Sequence, residues 1–187
     1  MKDDIKQCLD TLHQGGIILY PTDTIWGLGC DATNPDAVDK LYTIKQRDPD
    51  KAMLILLENI NQIQSYVEKP PEVALDMMEL ATEPLTLIFE KAKNLPLNLI
   101  GNDGSIAIRL TNENFTNELL KRFKKPIVST SANFSGAETP LRFTDIDDKL
   151  KSLTDYVVEF RRKESRHKKS SSIIRIGNNG EIDIIRK

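Results

Sequence analysis

The amino-acid sequence predicts an α/β protein with a largely buried mixed β-sheet. Short apolar runs, typical of buried strands, alternate along the chain with segments whose apolar residues recur at helical spacing. The 187 residues suit a single domain, and no linker, internal repeat or low-complexity tract divides them. Apolar residues make up 39% and charged residues 29%, which is an ordinary globular composition. We therefore expect one domain over residues 1–187.

The first third of the chain predicts two helices around a buried strand. Apolar residues at helical spacing over 5–12 predict a first helix, which the glycine pair at 15–16 ends. The apolar run 17–20 predicts a strand, which Pro21 closes. Asn34-Pro35 supplies an N-cap and a proline at the first helical position, so a second helix begins there and ends near Pro49.

The remaining chain continues the alternation and closes with a β-hairpin. The predicted elements are a strand at 53–57, helices at about 59–67 and 71–81, strands at about 85–90 and 105–110, a helix at about 114–124, a strand at 126–130, a helix near 144–152 and a strand at 155–160. The hairpin joins 173–176 to 182–185 through the turn sequence Gly177-Asn178-Asn179-Gly180.

The net charge argues against a surface built for nucleic acid. The chain carries 26 Lys and Arg against 28 Asp and Glu, a formal charge of −2. Any anion-binding site must therefore be local. Arg161–Lys169 is the one dense basic run, and we interpret it as a solvated loop rather than an RNA-contacting lobe.

Cysteine and histidine are too scarce for a disulfide framework or a zinc centre. The cysteines are Cys8 and Cys30, and the histidines are His13 and His167. No segment approaches the roughly 20 apolar residues of a membrane span, and the acidic N-terminal region does not resemble a signal peptide. We expect a cytoplasmic protein with reduced thiols and no membrane contact.

Three polar clusters follow predicted strands or helices. They are Pro21-Thr22-Asp23-Thr24 with Trp26-Gly27-Leu28-Gly29, then Lys45-Gln46-Arg47 with Lys51, then Ser129-Thr130-Ser131-Ala132-Asn133 with Ser135-Gly136. Each alone could be structural, as a turn, a solvated helix end or a helix cap. Together they offer an arginine fork, lysine charges, hydroxyls and an amide, which could hold a polyphosphate.

Three familiar sites are absent from the sequence or placed in the wrong context. No G-x-x-x-x-G-K-[ST] run exists, which excludes a P-loop, and no G-x-S-x-G elbow supports a serine hydrolase. The run 27–32 matches the dinucleotide fingerprint G-x-G-x-x-A. However, the preceding strand ends at Tyr20 and the next helix starts only at Pro35, so a Rossmann site is not expected.

Three motifs follow one another along the chain: P-T-D-T-x-W-G-L-G, then K-x-R with a later lysine, then S-x-S-A-N-x-S-G. In this order they resemble the YrdC/TsaC family of threonylcarbamoyl-AMP synthases in its short, single-domain form. The resemblance runs from Gly16 to Arg186. It implies a single twisted, open mixed sheet with flanking helices and a positively lined cleft. It also implies the synthesis of threonylcarbamoyl-AMP and pyrophosphate from L-threonine, bicarbonate and ATP, which is the first step of tRNA threonylcarbamoyladenosine modification.

The resemblance also implies roles for individual residues. Two are expected to be catalytic: Lys45 and Arg47. Those expected at ATP are Arg47, Lys51, Ser105, Ser131, Asn133, Thr139 and Arg186. Those expected at L-threonine are Thr24, Arg109, Ser129 and Ser172, with Arg109 on the carboxylate. Mg²⁺ would accompany ATP without a protein metal cage. The product would pass to a tRNA threonylcarbamoyl-transferase complex, with weak RNA binding as a further expectation.

Two other functions stay open from the sequence. One is a binding module for double-stranded RNA or ribosome maturation, and the other is a carbamoyl-transfer domain of the hydrogenase-maturation type. Four positions also depart from the family's usual residues: Ala52, Leu56, Glu83 and Thr111.

Overall fold

The computed structural model describes residues 1–48, 51–164, 170–177 and 179–187. Its α-helices are α1 (Lys2–His13), α2 (Pro35–Lys45), α3 (Ile63–Tyr66), α4 (Glu72–Leu80), α5 (Asn114–Phe123) and α6 (Asp148–Ser152), with 3₁₀ turns at Ile60–Gln62 and Phe143–Asp145. Its strands are β1 (Ile18–Tyr20), β2 (Gly27–Asp31), β3 (Leu54–Leu57), β4 (Leu85–Phe89), β5 (Ile106–Leu110), β6 (Ile127–Ser131), β7 (Tyr156–Val157), β8 (Ser172–Ile176) and β9 (Ile182–Arg186).

All these strands form one open, mixed sheet in the order β7-β1-β2-β6-β3-β5-β4-β8-β9. The pairs β1–β7, β3–β5 and β4–β8 are parallel, and the other neighbouring pairs are antiparallel. The predicted α/β class with an open mixed sheet and flanking helices is thereby confirmed. The hairpin of β8 and β9 is also as predicted, although Asn178 in its turn lies outside the described residues.

Strand β2 is the element that the sequence interpretation missed. Its five residues are all buried, and it pairs with β1 on one side and β6 on the other. The sequence predicts no element in the stretch between Pro21 and Asn34. Gly29 is needed here because a Cβ would lie 2.8 Å from Tyr20 Cε1 and 2.9 Å from the Val128 carbonyl oxygen. Glycines inside an antiparallel strand cannot form a dinucleotide-binding turn, which agrees with the rejection of a Rossmann site.

The Gly29→Ala variant is expected to lose about 3 kcal/mol of unfolding free energy, because the methyl group would push against the Tyr20 ring of β1 and the Val128 carbonyl of β6. Urea unfolding measures the loss. Gly177→Ala is the control, since its nearest contact would be an ordinary 3.5 Å, and it should change stability by about 0.5 kcal/mol or less. Equal unfolding midpoints for the two variants would contradict the packing argument.

Two predicted elements near the end of the chain are shorter than expected. The helix predicted at 144–152 is divided, because Asp147 caps α6 by accepting a hydrogen bond from the Lys149 amide at 2.7 Å. The strand predicted at 155–160 pairs only over β7. Most of the basic run, including His167, lies outside the described residues.

The two cysteines are free and lie in the core, where burial raises the pKa of both thiols. His13 ends α1 on the surface, with its ring centroid 5.1 Å from that of Phe123. Within the described ranges, no helix has the length and apolar character needed to cross a bilayer.

Candidate functional site

A cavity of about 330 Å³ lies on one face of the sheet. Side chains alternate between the two faces of a strand, and the lining follows that period. Strand β5 and the residue before it contribute Ser105, Ala107 and Arg109, while β8 and its preceding residue contribute Ser171, Ile173 and Arg175. The sheet thus supplies a rigid wall, and the loops at the strand ends supply the rest.

The charged side chains in this wall are all cationic in the part of the chain that the structure describes. They are Arg47, Arg109, Arg175 and Arg186. Hydroxyl groups make up much of the remaining polar lining, namely those of Thr22, Thr24, Thr86, Ser105, Ser129, Thr130, Ser131, Thr139, Ser170 and Ser171. This composition suits an anion with several hydrogen-bonding oxygens.

The loop between β1 and β2 presents two threonines to the cavity. The Thr22 hydroxyl lies 3.0 Å from the Thr24 hydroxyl, donates to the Ile25 carbonyl at 2.7 Å and accepts from the Thr24 amide at 3.0 Å. Thr22 and Thr24 are both buried and line the cavity, so this network fixes the turn that carries them. We call residues 21–25 the threonine loop.

Arg109 is the most buried charge in the cavity wall. Its Nη2 lies 3.1 Å from Oδ1 of Asp23, and the two side chains are 5% and 13% exposed. Arg109 Nε is buried without a hydrogen-bond partner. A guanidinium with an unused donor at a cavity is well placed to bind a carboxylate or phosphate oxygen.

The end of α2 sends the two cations of the K-x-R motif in different directions. Gln46, the C-cap, adopts a left-handed conformation with φ of 50°, and its turn is closed by the Arg47 amide donating to the Tyr42 carbonyl at 3.1 Å. Lys45 therefore points inward and is 1% exposed, whereas Arg47 lines the cavity. Arg47 is held there by donating from Nε to the Lys51 carbonyl at 2.7 Å and from Nη2 to the Ala52 carbonyl at 3.0 Å.

The Lys45 ammonium is occupied by the loop after β6. Its Nζ donates to the Ser131 carbonyl at 2.6 Å, the Asn133 carbonyl at 2.5 Å and Asn133 Oδ1 at 3.1 Å. Burial and the neighbouring Arg47 lower the pKa of Lys45 to about 7, while the three acceptor oxygens favour the charged form. Lys45 thus shapes the loop from beneath instead of facing the cavity.

The same loop is tied together by its own side chains. Ser131 Oγ donates to Asn133 Oδ1 at 2.5 Å, and Asn133 Nδ2 donates to the Ala137 carbonyl at 2.6 Å. Two residues earlier on the same face of β6, Ser129 Oγ accepts from the buried Tyr20 hydroxyl at 2.9 Å. These bonds fix the orientation of the hydroxyls that β6 presents to the cavity.

The far end of the cavity is built from β4, β8 and β9. The Thr86 and Ser171 hydroxyls are 2.8 Å apart and buried. Arg186 donates from Nε and Nη2 to the Ser171 carbonyl at 3.0 and 2.8 Å. Burial and the nearby Arg109 lower the pKa of Arg186. The C-terminal hairpin therefore closes the cavity with a cation.

The structure brings most of the predicted site residues together. Those lining the cavity are Thr24, Arg47, Ser105, Arg109, Ser129, Ser131, Thr139 and Arg186. Those outside the lining are Lys45, Lys51, Asn133 and Ser172. Ser172 lies on the opposite side of β8 from its neighbours Ser171 and Ile173, because one step along a strand reverses the face. Lys51 is exposed, and it is its backbone carbonyl that positions Arg47.

Sequence reasoning gave no individual role to several lining residues. They are Thr22 and Trp26, which lie in the first polar cluster, and Thr86, Ser171 and Arg175. Trp26 is 6% exposed and packs against the Phe143 ring, with centroids 4.8 Å apart. Alternation along β8 from Ile173 could have identified Ser171 and Arg175 once that strand was known to face a site.

The four departures from the family pattern have structural explanations in this chain. Leu56 is fully buried beside Arg109 in the pairing of β3 with β5. Thr111 accepts from the Glu113 amide at 3.3 Å and so helps to form the turn into α5. Glu83 lines a second cavity of about 480 Å³, whose charged lining residues are acidic, and it does not line the cavity that contains the arginines. Ala52 lines the cavity and supplies a carbonyl to Arg47.

No protein metal cage is present among the described residues: no three His, Cys, Asp or Glu side chains come together. The cavity wall described here also contains no carboxylate. A magnesium ion that enters on the phosphates of a nucleotide, retaining water ligands, is compatible with this lining.

The fold and the site define an α/β protein whose cavity is made to hold an anionic ligand beside hydroxyl groups. The chain belongs to the Sua5/YciO/YrdC family, whose model, described as "Telomere recombination", matches residues 10–187. The chain is 36% identical over 158 residues to the threonylcarbamoyl-AMP synthase of Pseudoalteromonas translucida (strain TAC 125), covering 83% of this chain and 84% of that relative. The family resemblance found in the motifs is confirmed.

Two solved structures share the fold. E. coli YciO superimposes with a TM-score of 0.87 at 23% identity, covering 100% of this chain and 90% of YciO. P. abyssi Sua5 complexed with L-threonine superimposes with a TM-score of 0.82 at 22% identity, covering 92% of this chain. The present chain spans 50% of that Sua5 chain.

Proposed function

We propose that this protein is an L-threonylcarbamoyladenylate synthase. It would convert L-threonine, bicarbonate and ATP into threonylcarbamoyl-AMP and pyrophosphate. The observation that carries the proposal is the cavity itself, in which a buried guanidinium with an unused donor stands beside threonine and serine hydroxyls and three further arginines. Membership of a family that includes a 36% identical relative of that name supports the choice of reaction.

The amino acid would bind at the threonine loop and β5. Arg109 would take the carboxylate, because it is the most buried cation that lines the cavity and its guanidinium fork matches a carboxylate. The hydroxyls of Thr24 and Ser129 lie on the same wall and accept or donate to the amino acid's polar groups. Ser171, rather than the predicted Ser172, contributes a hydroxyl to this cavity.

The nucleotide would occupy the remainder of the cavity. Arg47 offers its guanidinium to the phosphates, and Ser131 offers a hydroxyl. The other lining residues assigned to ATP are Ser105, Thr139 and Arg186. Mg²⁺, when bound through the phosphates, supplies charge neutralisation. Lys45 and Asn133 contribute by fixing the loop that carries Ser131.

The chemistry needs positioning and charge stabilisation more than a dedicated base. The threonine nitrogen attacks carbon dioxide derived from bicarbonate, loses a proton and becomes a carbamate. A carbamate oxygen then forms a bond to the α-phosphorus of ATP, while the bond from that phosphorus to the pyrophosphate oxygen breaks. Fixed guanidinium groups stabilise the charge that develops on the leaving pyrophosphate.

The Arg47→Ala variant is expected to lose about 100-fold in kcat/KM for ATP, since a charged phosphate contact is removed. The assay supplies Mg²⁺-ATP and bicarbonate with L-threonine, L-serine or no amino acid, and measures pyrophosphate and the threonine-containing AMP adduct. Arg122→Ala, on the exposed face of α5, is the control. Failure of the wild-type protein to form adduct with any combination would overturn the proposed function.

The downstream step also follows from the proposed product. A mixed anhydride of a carbamate and AMP is a reactive acyl donor, so it would be handed to a tRNA threonylcarbamoyl-transferase complex. Weak RNA binding would assist that transfer. The binding-module and carbamoyl-phosphate alternatives have less support, because the relatives that match most of this chain at 31–36% identity are named threonylcarbamoyl-AMP synthases.

A further inference from the structure

Behind the threonine loop, on the side away from the cavity, Arg161 and Glu113 hold the loop's backbone. Arg161 Nη1 donates to the Thr22 carbonyl at 3.3 Å and lies 3.2 Å from Oε1 of Glu113. Glu113 Oε2 accepts from the amide and hydroxyl of Thr116 at 2.8 and 2.9 Å. The one hydroxyl proton of Thr116 is shared between Glu113 Oε2 and the Pro21 carbonyl oxygen, which lies 3.2 Å from the Thr116 hydroxyl oxygen. Two consecutive loop carbonyls are thus attached to the start of α5.

These supports are mostly shielded from water. The side chains of Arg161 and Glu113 are 16% and 10% exposed, and Thr116 is fully buried. Arg161 also pairs through Nε with Glu164, so its guanidinium lies between two carboxylates. Ion pairs in such a position are screened far less than surface pairs. Arg161 does not line the cavity, whereas Thr22 and Thr24 do.

The backbone of Arg161 adds a further sign of constraint. Its φ is 68°, in the left-handed region that side-chain-bearing residues seldom occupy. Such a conformation persists where the surroundings determine it, and here the guanidinium bonds to the loop and to Glu113 do so.

We infer that Arg161 and Glu113 are positioning residues for the amino-acid half of the cavity. They fix the carbonyls of residues 21 and 22, and thereby fix the direction in which the Thr24 hydroxyl points. Neither touches the substrate. Because the role of Thr24 rests on the function proposed above, the test includes one measurement that does not depend on that function.

The Arg161→Met variant is expected to weaken L-threonine binding about tenfold, the effect of losing one charged hydrogen bond. ATP affinity should stay within about twofold, since the residues that the pair bonds to, Thr22 and Thr116, are not among those assigned to ATP. Isothermal titration with each ligand and steady-state KM values measure both. Hydrogen exchange of the peptide covering residues 21–25, in the protein without ligands, should become faster because the loop has lost its carbonyl support.

The matched control is Arg122→Met, which breaks an exposed ion pair between two residues of α5, Arg122 and Glu118. This variant should leave both ligand affinities and the exchange of residues 21–25 unchanged. Arg161→Lys keeps the charge but lacks the fork, so it should give an intermediate loss and remains informative if the methionine variant does not fold. Equal losses of threonine and ATP affinity would overturn the inference, as would unchanged exchange and unchanged threonine binding. A wild-type protein that forms no adduct would overturn the proposed function. Faster exchange of residues 21–25 in Arg161→Met than in the wild type would still show that Arg161 stabilises the threonine loop.

Discussion

Replacing Arg109 with methionine is expected to lower kcat/KM for L-threonine about 1000-fold. The substrate carboxylate loses its cationic partner, and the buried carboxylate of Asp23 loses its partner as well. The guanidinium is 5% exposed and carries the unused Nε donor, so water cannot take its place well. Threonine-dependent pyrophosphate release measures the loss. Retention of more than about one tenth of the wild-type value would contradict the role proposed for Arg109.

A double variant separates binding from stability. Arg109→Met alone leaves the carboxylate of Asp23, 13% exposed, without its partner, so we expect unfolding free energy to fall by about 2–3 kcal/mol. Adding Asp23→Asn removes the stranded charge and should restore most of that stability. Activity should stay low, since the carboxylate anchor is still missing. Recovery of both properties together would show that Arg109 acts only through folding.

Replacing Lys45 with methionine is expected to cost about 3 kcal/mol of unfolding free energy, because the carbonyls of Ser131 and Asn133 lose a buried donor. ATP affinity should fall with it, since Ser131 is displaced. Chemical unfolding and nucleotide titration measure the two effects. The control is Lys40→Met on the same helix, whose ion pair with Asp155 is 43% and 42% exposed and is worth about 0.5 kcal/mol. Similar losses for the two variants would contradict the role given to Lys45.

The pH dependence gives the same variant a second readout. The pKa of Lys45 is about 7 in the folded protein against 10.5 for an ordinary lysine, so between these values the unfolded chain binds more protons than the folded one. The cost of burying the ammonium is therefore present in full below pH 7. This cost decreases as the pH rises from about 7 toward 10.5, because the folded protein then holds Lys45 neutral. Over this pH range the wild type should gain unfolding free energy relative to Lys45→Met. No relative gain would mean that the three acceptor oxygens keep Lys45 charged.

Much of this molecule could be predicted from sequence because local signals were strong. The Asn34-Pro35 helix start and the hairpin around residues 177–180 are local rules that the structure follows. The motifs also indicated which loops would meet, and residues from all three clusters do line one cavity. Strand β2 was missed because two of its five residues are glycines, which are poor strand formers, and the need for Gly29 is its close contact with Tyr20 and the Val128 carbonyl.

The remaining differences depend on single-residue geometry or on contacts far apart in sequence. Spacing alone could not show that Gln46 adopts a left-handed conformation and sends Lys45 and Arg47 in different directions. The choice between Ser171 and Ser172 depends on the pairing register of β8 with β4. The bond from Arg161 to Thr22 joins residues 139 positions apart, and no local pattern encodes it.

Trp26 gives the cavity an optical property. It is the only tryptophan in the sequence, and its side chain forms part of the cavity wall against Phe143. Indole emission depends on local polarity and on quenching by neighbouring groups, so all the tryptophan fluorescence of the protein comes from the wall of its cavity. Ligand entry, displacement of the threonine loop and loss of the fold would each change that emission, without any label being attached.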